Sequence, residues 1–188
     1  MSRELVRCFV AFDVGDEAVL GRLAEVRRLL GETGADLKFV EPGNVHVTLR
    51  FLGEVEPGVV ERIAEVLDGV SFVPFDVELR GVGVFPSLRR INVVWVGIVK
   101  GVEELGKIFD LVEGGVVGLG LKRDVRGFSP HVTIVRVRSA RGLEGLRRRV
   151  LELKGFEFGV VRVDKLKLFR SVLTPRGPVY SVLHEVRR

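Results

Sequence analysis

Asn44-Val45-His46-Val47-Thr48-Leu49-Arg50-Phe51-Leu52-Gly53 is the stretch from which the fold can be read. From Val45 to Leu52 it alternates as a strand with one buried face does, and Gly53 ends the run. A second copy stands 85 residues further on, as Pro130-His131-Val132-Thr133-Ile134-Val135-Arg136, at the start of a strand predicted over His131–Arg138. The surroundings repeat as well. Before His46 come a strand over Val6–Asp13 and, after Asp16, a helix with Val19, Leu23, Val26 and Leu30 on one face, ended by Gly31 and Gly34. Before His131 come a strand over Ile91–Val99 and a helix over Val102–Val112 that turns Leu105, Ile108 and Val112 inward.

A helix also follows each copy. The first is opened by Pro57, carries Val60, Ile63, Val66 and Leu67, and is closed by Gly69; the second spans Leu143–Leu153 with Leu146 and Val150 on its apolar face. A strand pair is predicted between Phe72 and Val84. Strands from Phe156 to Arg170 and from Val179 to Val186, joined by a turn at Thr174-Pro175-Arg176-Gly177, finish the chain. The repeat predicts an α+β fold of two pseudo-symmetric lobes, each a mainly antiparallel sheet with helices on its outer face, whose open faces meet in a central cleft. One bilobal domain over 1–188 is expected, with lobes of approximately 1–88 and 89–188 and terminal strands that can cross between them.

Composition limits the function classes. The 188 residues include 46% apolar and 29% charged side chains, which excludes a disordered or fibrous chain. One cysteine, Cys8, allows neither an intrachain disulfide nor a cysteine zinc site. The opening MSRELVRCFVAFDV carries no long apolar run, and no apolar stretch approaches the roughly 20 residues of a membrane span, so a cytoplasmic protein without membrane association is expected. Lys plus Arg total 30 against 25 Asp plus Glu, for a net charge of +5, a balance that favours polyanions such as nucleic acid. Twenty-three of those cations are arginine, glutamine is absent and asparagine occurs only at Asn44 and Asn92. Selection for heat leaves such a composition, as a GC-rich genome also can, and a thermophilic source is expected.

The chemistry lies in the repeated tripeptide. Only three histidines and four threonines occur, yet two histidines begin His-Val-Thr at corresponding places in the two half-chains. On a strand, residues i and i+2 share a face, so each histidine stands beside its threonine. Two such strands across a pseudo-two-fold would gather two imidazoles and two hydroxyls in one pocket. One neutral and one protonated imidazole suit concerted base and acid work near neutral pH, and hydroxyls donate to anionic oxygens. A phosphodiester, with entering and leaving oxygens on opposite sides of an anionic centre, matches that set. A metal site would need three or four ligands, and neither motif carries a carboxylate or a second histidine; Asp13 and Asp124 could join only through folding. His184 reads as a structural histidine.

The two motifs resemble the signatures of the 2H phosphoesterases, and the flanking segments (Arg7-Cys8-Phe9-Val10-Ala11-Phe12, Gly81-Val82-Gly83-Val84-Phe85-Pro86 and the strand to Ser171) are similar to the RNA 2′,3′-cyclic phosphodiesterase, or 2′-5′ RNA ligase, branch. The resemblance implies metal-independent, cofactor-free opening of a 2′,3′-cyclic phosphate to a 2′-phosphomonoester. By position it makes His46 the general acid toward the 3′ oxygen and His131 the base toward water, with Thr48 and Thr133 on the non-bridging oxygens. Phe51 and Arg136, each five residues past its histidine, would bind the terminal nucleotide, an aromatic face and a guanidinium plane being suitable partners for a base; core packing is the competing reading of Phe51. The expected partner is RNA with a cyclic phosphate end, tRNA fragments included, and the expected state a monomer. Ligation through a 2′-5′ bond and hydrolysis of a small cyclic nucleotide are alternatives for the same site, and an RNA-end binding protein without turnover is the alternative of another class. Basic clusters at Lys122, Arg123 and Arg126 and at Arg147–Arg149 are candidate guides for an RNA backbone, the first, in a loop before His131, being the better, while the second, on a helix, reads first as a solvated face.

Overall fold

The computed structural model describes residues 4–175 and 177–188; Arg176 of the expected turn lies outside them. The elements, in order, are β1 (Val6–Asp13), α1 (Glu17–Gly31), β2 (Leu37–Phe39), β3 (His46–Val55), α2 (Pro57–Asp68), β4 (Phe75–Ser87), β5 (Arg90–Lys100), α3 (Val102–Gly118), β6 (His131–Val137), α4 (Leu143–Glu152), β7 (Glu157–Val163), β8 (Lys165–Thr174) and β9 (Gly177–Arg187). The Asp16 carboxylate starts α1 by accepting from the Val19 N–H at 3.0 Å, and Pro57 occupies the first turn of α2, where no N–H is needed.

The strands form one curled, antiparallel sheet in the order β7-β4-β5-β6-β3-β1-β8-β9, with β2 against β6. Neighbours in the sheet are drawn from both ends of the chain: β8 lies beside β1 with β9 beyond it, and β4 lies between β5 and β7. The helices cross over similarly, α1 packing on β7 and α4, and α3 packing on β3 and α2. Their apolar faces cover one side of the sheet, where Val10, Val47, Val96, Val132 and Leu168 are fully buried. At the seam, β3 and β6 share the single pair Val47–Val132. The antiparallel register places His46 beside Thr133 and Thr48 beside His131 on the opposite face.

Two expectations are corrected. In place of a strand pair over Phe72–Val84 there is one long strand, β4, bulged between Leu79 and Val82. Its glycines admit close neighbours instead of making a turn: a Cβ on Gly81, whose φ is +78°, would fall 2.5 Å from the Lys154 carbonyl, and one on Gly83 2.3 Å from the Trp95 ring. Helix α3 also runs past the predicted end at Val112 to Gly118, its apolar face continuing through buried Val116; Gly115 lets α2 approach, since its Cβ would stand 2.3 Å from Val66 Cγ1. The three-residue β2 has no counterpart in the hydrophobic pattern.

Candidate active site

The face of the seam away from the helices is the floor of a pocket. His46, Thr48, His131 and Thr133 line it together, with Phe51 and Arg136 at its side. All six residues singled out in the sequence therefore gather in one place. Half-buried side chains alternate with buried Val47, Leu49, Val132 and Ile134, so the period of two that identified the strands also aims the polar set.

Each imidazole is anchored by the segment that leads into its own strand. Nδ1 of His46 lies 2.7 Å from the Asn44 carbonyl oxygen, and Nδ1 of His131 lies 2.7 Å from that of Ser129. A carbonyl only accepts, so in both rings Nδ1 carries the proton and Nε2 is the nitrogen left to exchange one. The anchor is two residues upstream in both cases, which is the hydrogen-bond form of the repeat.

The neighbours differ. His46 sits in an aromatic box, its ring 5.0 Å from Phe9, 5.4 Å edge-on from Tyr180 and 6.3 Å from Phe169. His131 is flanked by Phe85 at 5.0 Å and Trp95 at 6.2 Å. Burial in the box pushes the His46 pKa below the ordinary imidazole value; the Asn44 carbonyl opposes this, the positive charges of His131 and Arg136 add to it, and Asp13 opposes it weakly. Burial raises the Tyr180 phenol, against the pull of Arg136 and Arg7.

Phe51 is 49% exposed, so its ring is available to the pocket and is not a core residue. The Arg136 side chain is exposed and, among the described residues, pairs with no carboxylate. Lys38, paired with Arg136 in the β2–β6 register, adds a second cation to the wall. Lys38, Tyr180 and the aromatic support of Phe169 and Trp95 escaped the sequence reading; Tyr180 and Phe169 come from strands far along the chain, and no local pattern marks them.

Asp13 stands opposite His46 in the β1–β3 register but its carboxylate is engaged by the ammonium of Lys167 at 3.2 Å, and Asp124 lies in the loop before β6, bound to Arg126 at 2.8 Å. Among the described residues no three His, Cys, Asp or Glu side chains gather as a metal site would require. Of the second basic cluster, Arg147 donates to the carbonyls of Leu88 and Arg89 at 2.6 and 3.0 Å, and Arg149 pairs with Glu152. His184 bridges β9 to the Asp68 carboxylate at the end of α2, at 2.8 Å. No helix among the described residues is long and apolar enough to cross a membrane.

Duplicated His-Val-Thr strands facing one pocket across a pseudo-two-fold define the 2H phosphoesterase class. The model of the family described as LigT like Phosphoesterase matches residues 14–95 and, a second time, residues 96–180, so the chain belongs to the LigT-like phosphoesterases. A protein of Aeropyrum pernix named RNA 2′,3′-cyclic phosphodiesterase is 42% identical over 169 residues, covering 90% of this chain and 96% of its own. One of the same name from Methanothermobacter thermautotrophicus is 36% identical, with 97% and 98% covered. Among solved structures, a Thermus thermophilus protein superposes with a TM-score of 0.80 at 26% identity, covering 96% of this chain and 97% of its own. Escherichia coli LigT complexed with 3′-AMP superposes with a TM-score of 0.76 at 22% identity and 98% of each chain, which shows the shared fold. The thermophilic hosts of the relatives agree with the heat-adapted composition.

Proposed function

We propose that this enzyme opens 2′,3′-cyclic phosphate ends of RNA to 2′-phosphomonoesters by a two-histidine reaction. The observation that carries the reading is the pair of Nδ1-anchored imidazoles flanked by two threonines on one pocket floor. Relatives named RNA 2′,3′-cyclic phosphodiesterase that align over nearly the whole chain support the choice of substrate.

In the reaction, Nε2 of neutral His131 takes a proton from water as its oxygen attacks phosphorus. The bond from phosphorus to the 3′ oxygen breaks, and protonated His46 supplies the proton that leaves a 3′-hydroxyl; the new oxygen stays on the 2′-phosphate. Thr48 and Thr133 donate to the non-bridging oxygens, whose charge they bind most strongly in the crowded transition state. Phe51 and Arg136 hold the terminal base. Because burial lowers the His46 pKa, the dianionic transition state and the substrate phosphate must load that ring with its proton. No step assigns work to a metal or cofactor. The same reading takes the protein as a cytoplasmic monomer that acts on RNA ends such as those of tRNA fragments.

The test is incubation with an end-labelled oligoribonucleotide carrying a 2′,3′-cyclic phosphate, with the product isomer identified. A 2′-phosphate is the expected product; a 3′-phosphate, or binding without turnover, would overturn the reading.

A further inference from the structure

A second groove adjoins the catalytic pocket. Its walls are the outer end of β3 and the loop between α3 and β6, and Phe51 belongs to both cavities. The loop side offers Lys122, Arg123 and Arg126, with Val125 between them 92% exposed. Among the described residues neither Lys122 nor Arg123 is in an ion pair. Arg126 places its guanidinium 5.7 Å over the Phe51 ring. Cations beside exposed apolar and aromatic faces are what a single-stranded nucleic acid binds, phosphates to the first and bases to the second.

The loop is held in place from below. Arg50, buried on β3, donates from Nε to the Glu113 carboxylate of α3 and from Nη2 to the carbonyl of Lys122. The other Glu113 oxygen accepts from the Asp124 N–H at 2.7 Å. Asp124 in turn accepts from the Arg126 backbone at 3.0 Å and from its guanidinium at 2.8 and 3.0 Å. That guanidinium is the main reason the Asp124 carboxyl is held down at about 2. At the corresponding place in the second half, four residues past its histidine, stands fully buried Val135. A buried ion pair is a poor source of stability compared with apolar packing. Its presence in only one half, directly beneath the loop, marks it as a positioning device.

We propose that this groove is a subsite for the nucleotide preceding the cyclic phosphate end, built by Lys122, Arg123, Val125 and Arg126 and kept in register with Phe51 by the positioning pair Arg50–Glu113. It rests on the function proposed above and adds that the preferred substrate is an oligonucleotide, not a cyclic mononucleotide.

The test compares kcat/KM for a 2′,3′-cyclic mononucleotide and for di- and trinucleotides ending in the same cyclic phosphate. The wild-type enzyme is expected to favour the oligonucleotides by roughly tenfold or more, within the range that base stacking supplies. That advantage weakens with salt at a log–log slope of about −0.7 for each phosphate engaged. In the exposed double variant Lys122→Ala/Arg123→Ala the oligonucleotide advantage falls to within about threefold of unity. Glu113→Gln raises KM for the oligonucleotide more than it lowers kcat; equal loss on both substrates would make that pair merely structural. Equal wild-type rates on mononucleotide and oligonucleotide, or an advantage that survives the double variant, would overturn the subsite while leaving the catalytic reading intact. Turnover of neither substrate would remove both.

Discussion

Around His46 the sheet supplies Phe9, Phe169 and Tyr180; around His131 it supplies Phe85 and Trp95. Both rings are pinned by the same bond, from Nδ1 to a carbonyl two residues back. The tripeptide and its anchor are thus symmetric, whereas the walls are not. The shared part fixes which nitrogen titrates, and the unshared part biases when it does so. In the free enzyme the box favours neutral His46, so its part as proton donor depends on the negative charge of the bound phosphate to hold the proton there. The asymmetry continues outward, where the first half buries Arg50 under a basic loop and the second buries Val135.

The largest effects break the pair itself. His46→Ala and His131→Ala are each expected to lower kcat/KM by about 10²- to 10⁴-fold, and the double variant by much less than the product, because the two act in one step. Circular dichroism should show both variants folded. Near-normal turnover in either would break the two-histidine account. Thr48→Ala and Thr133→Ala lose one hydrogen bond to a charged oxygen, which costs about 1–3 kcal/mol, read as a fall in kcat/KM. A larger loss at one threonine than at the other would show that the asymmetry extends to the phosphate oxygens.

A smaller effect sharpens the comparison of walls. In the free enzyme the His46 ring, followed by NMR, should titrate below the usual value of about 6.5, and Tyr180→Ala should move it upward by opening the box. The sign carries into stability. A histidine whose pKa is depressed by folding is neutral in the folded chain while the unfolded chain takes up a proton. Its contribution is therefore intact above about 6.5 and lost as pH falls from there through the folded value. His46→Gln should flatten that part of the stability profile in urea titrations. No change at all is expected on exhaustive chelation; loss of turnover in EDTA, restored by one divalent ion, would move the site to another class.

What the sequence reveals and what it hides divide along the same line as the symmetry. His-Val-Thr on alternating strands could be read because strand period and motif are local, and the repeat foretold that the copies would meet. The bond from each imidazole to a carbonyl two residues back is local too. The aromatic box is not: Phe169 and Tyr180 stand more than 120 residues from His46 and reach it only because β8 returns beside β1 and β9 beside β8. Gly81 and Gly83 lie inside a strand and Gly115 inside a helix, each used for close approach instead of a break. Arg50 looked like one more polar position on an alternating strand, and its burial against Glu113 depends on a helix from the other half of the chain.

The central claim is that the two histidines divide the work, His46 as acid and His131 as base. The most direct measurement compares the two alanine variants on a cyclic phosphate and on a phosphodiester whose leaving group on the 3′ side is activated. A good leaving group needs little protonation, so His46→Ala should recover much of its lost rate on the activated substrate, while His131→Ala stays slow because water still needs a base. Recovery in His131→Ala and none in His46→Ala would contradict that division.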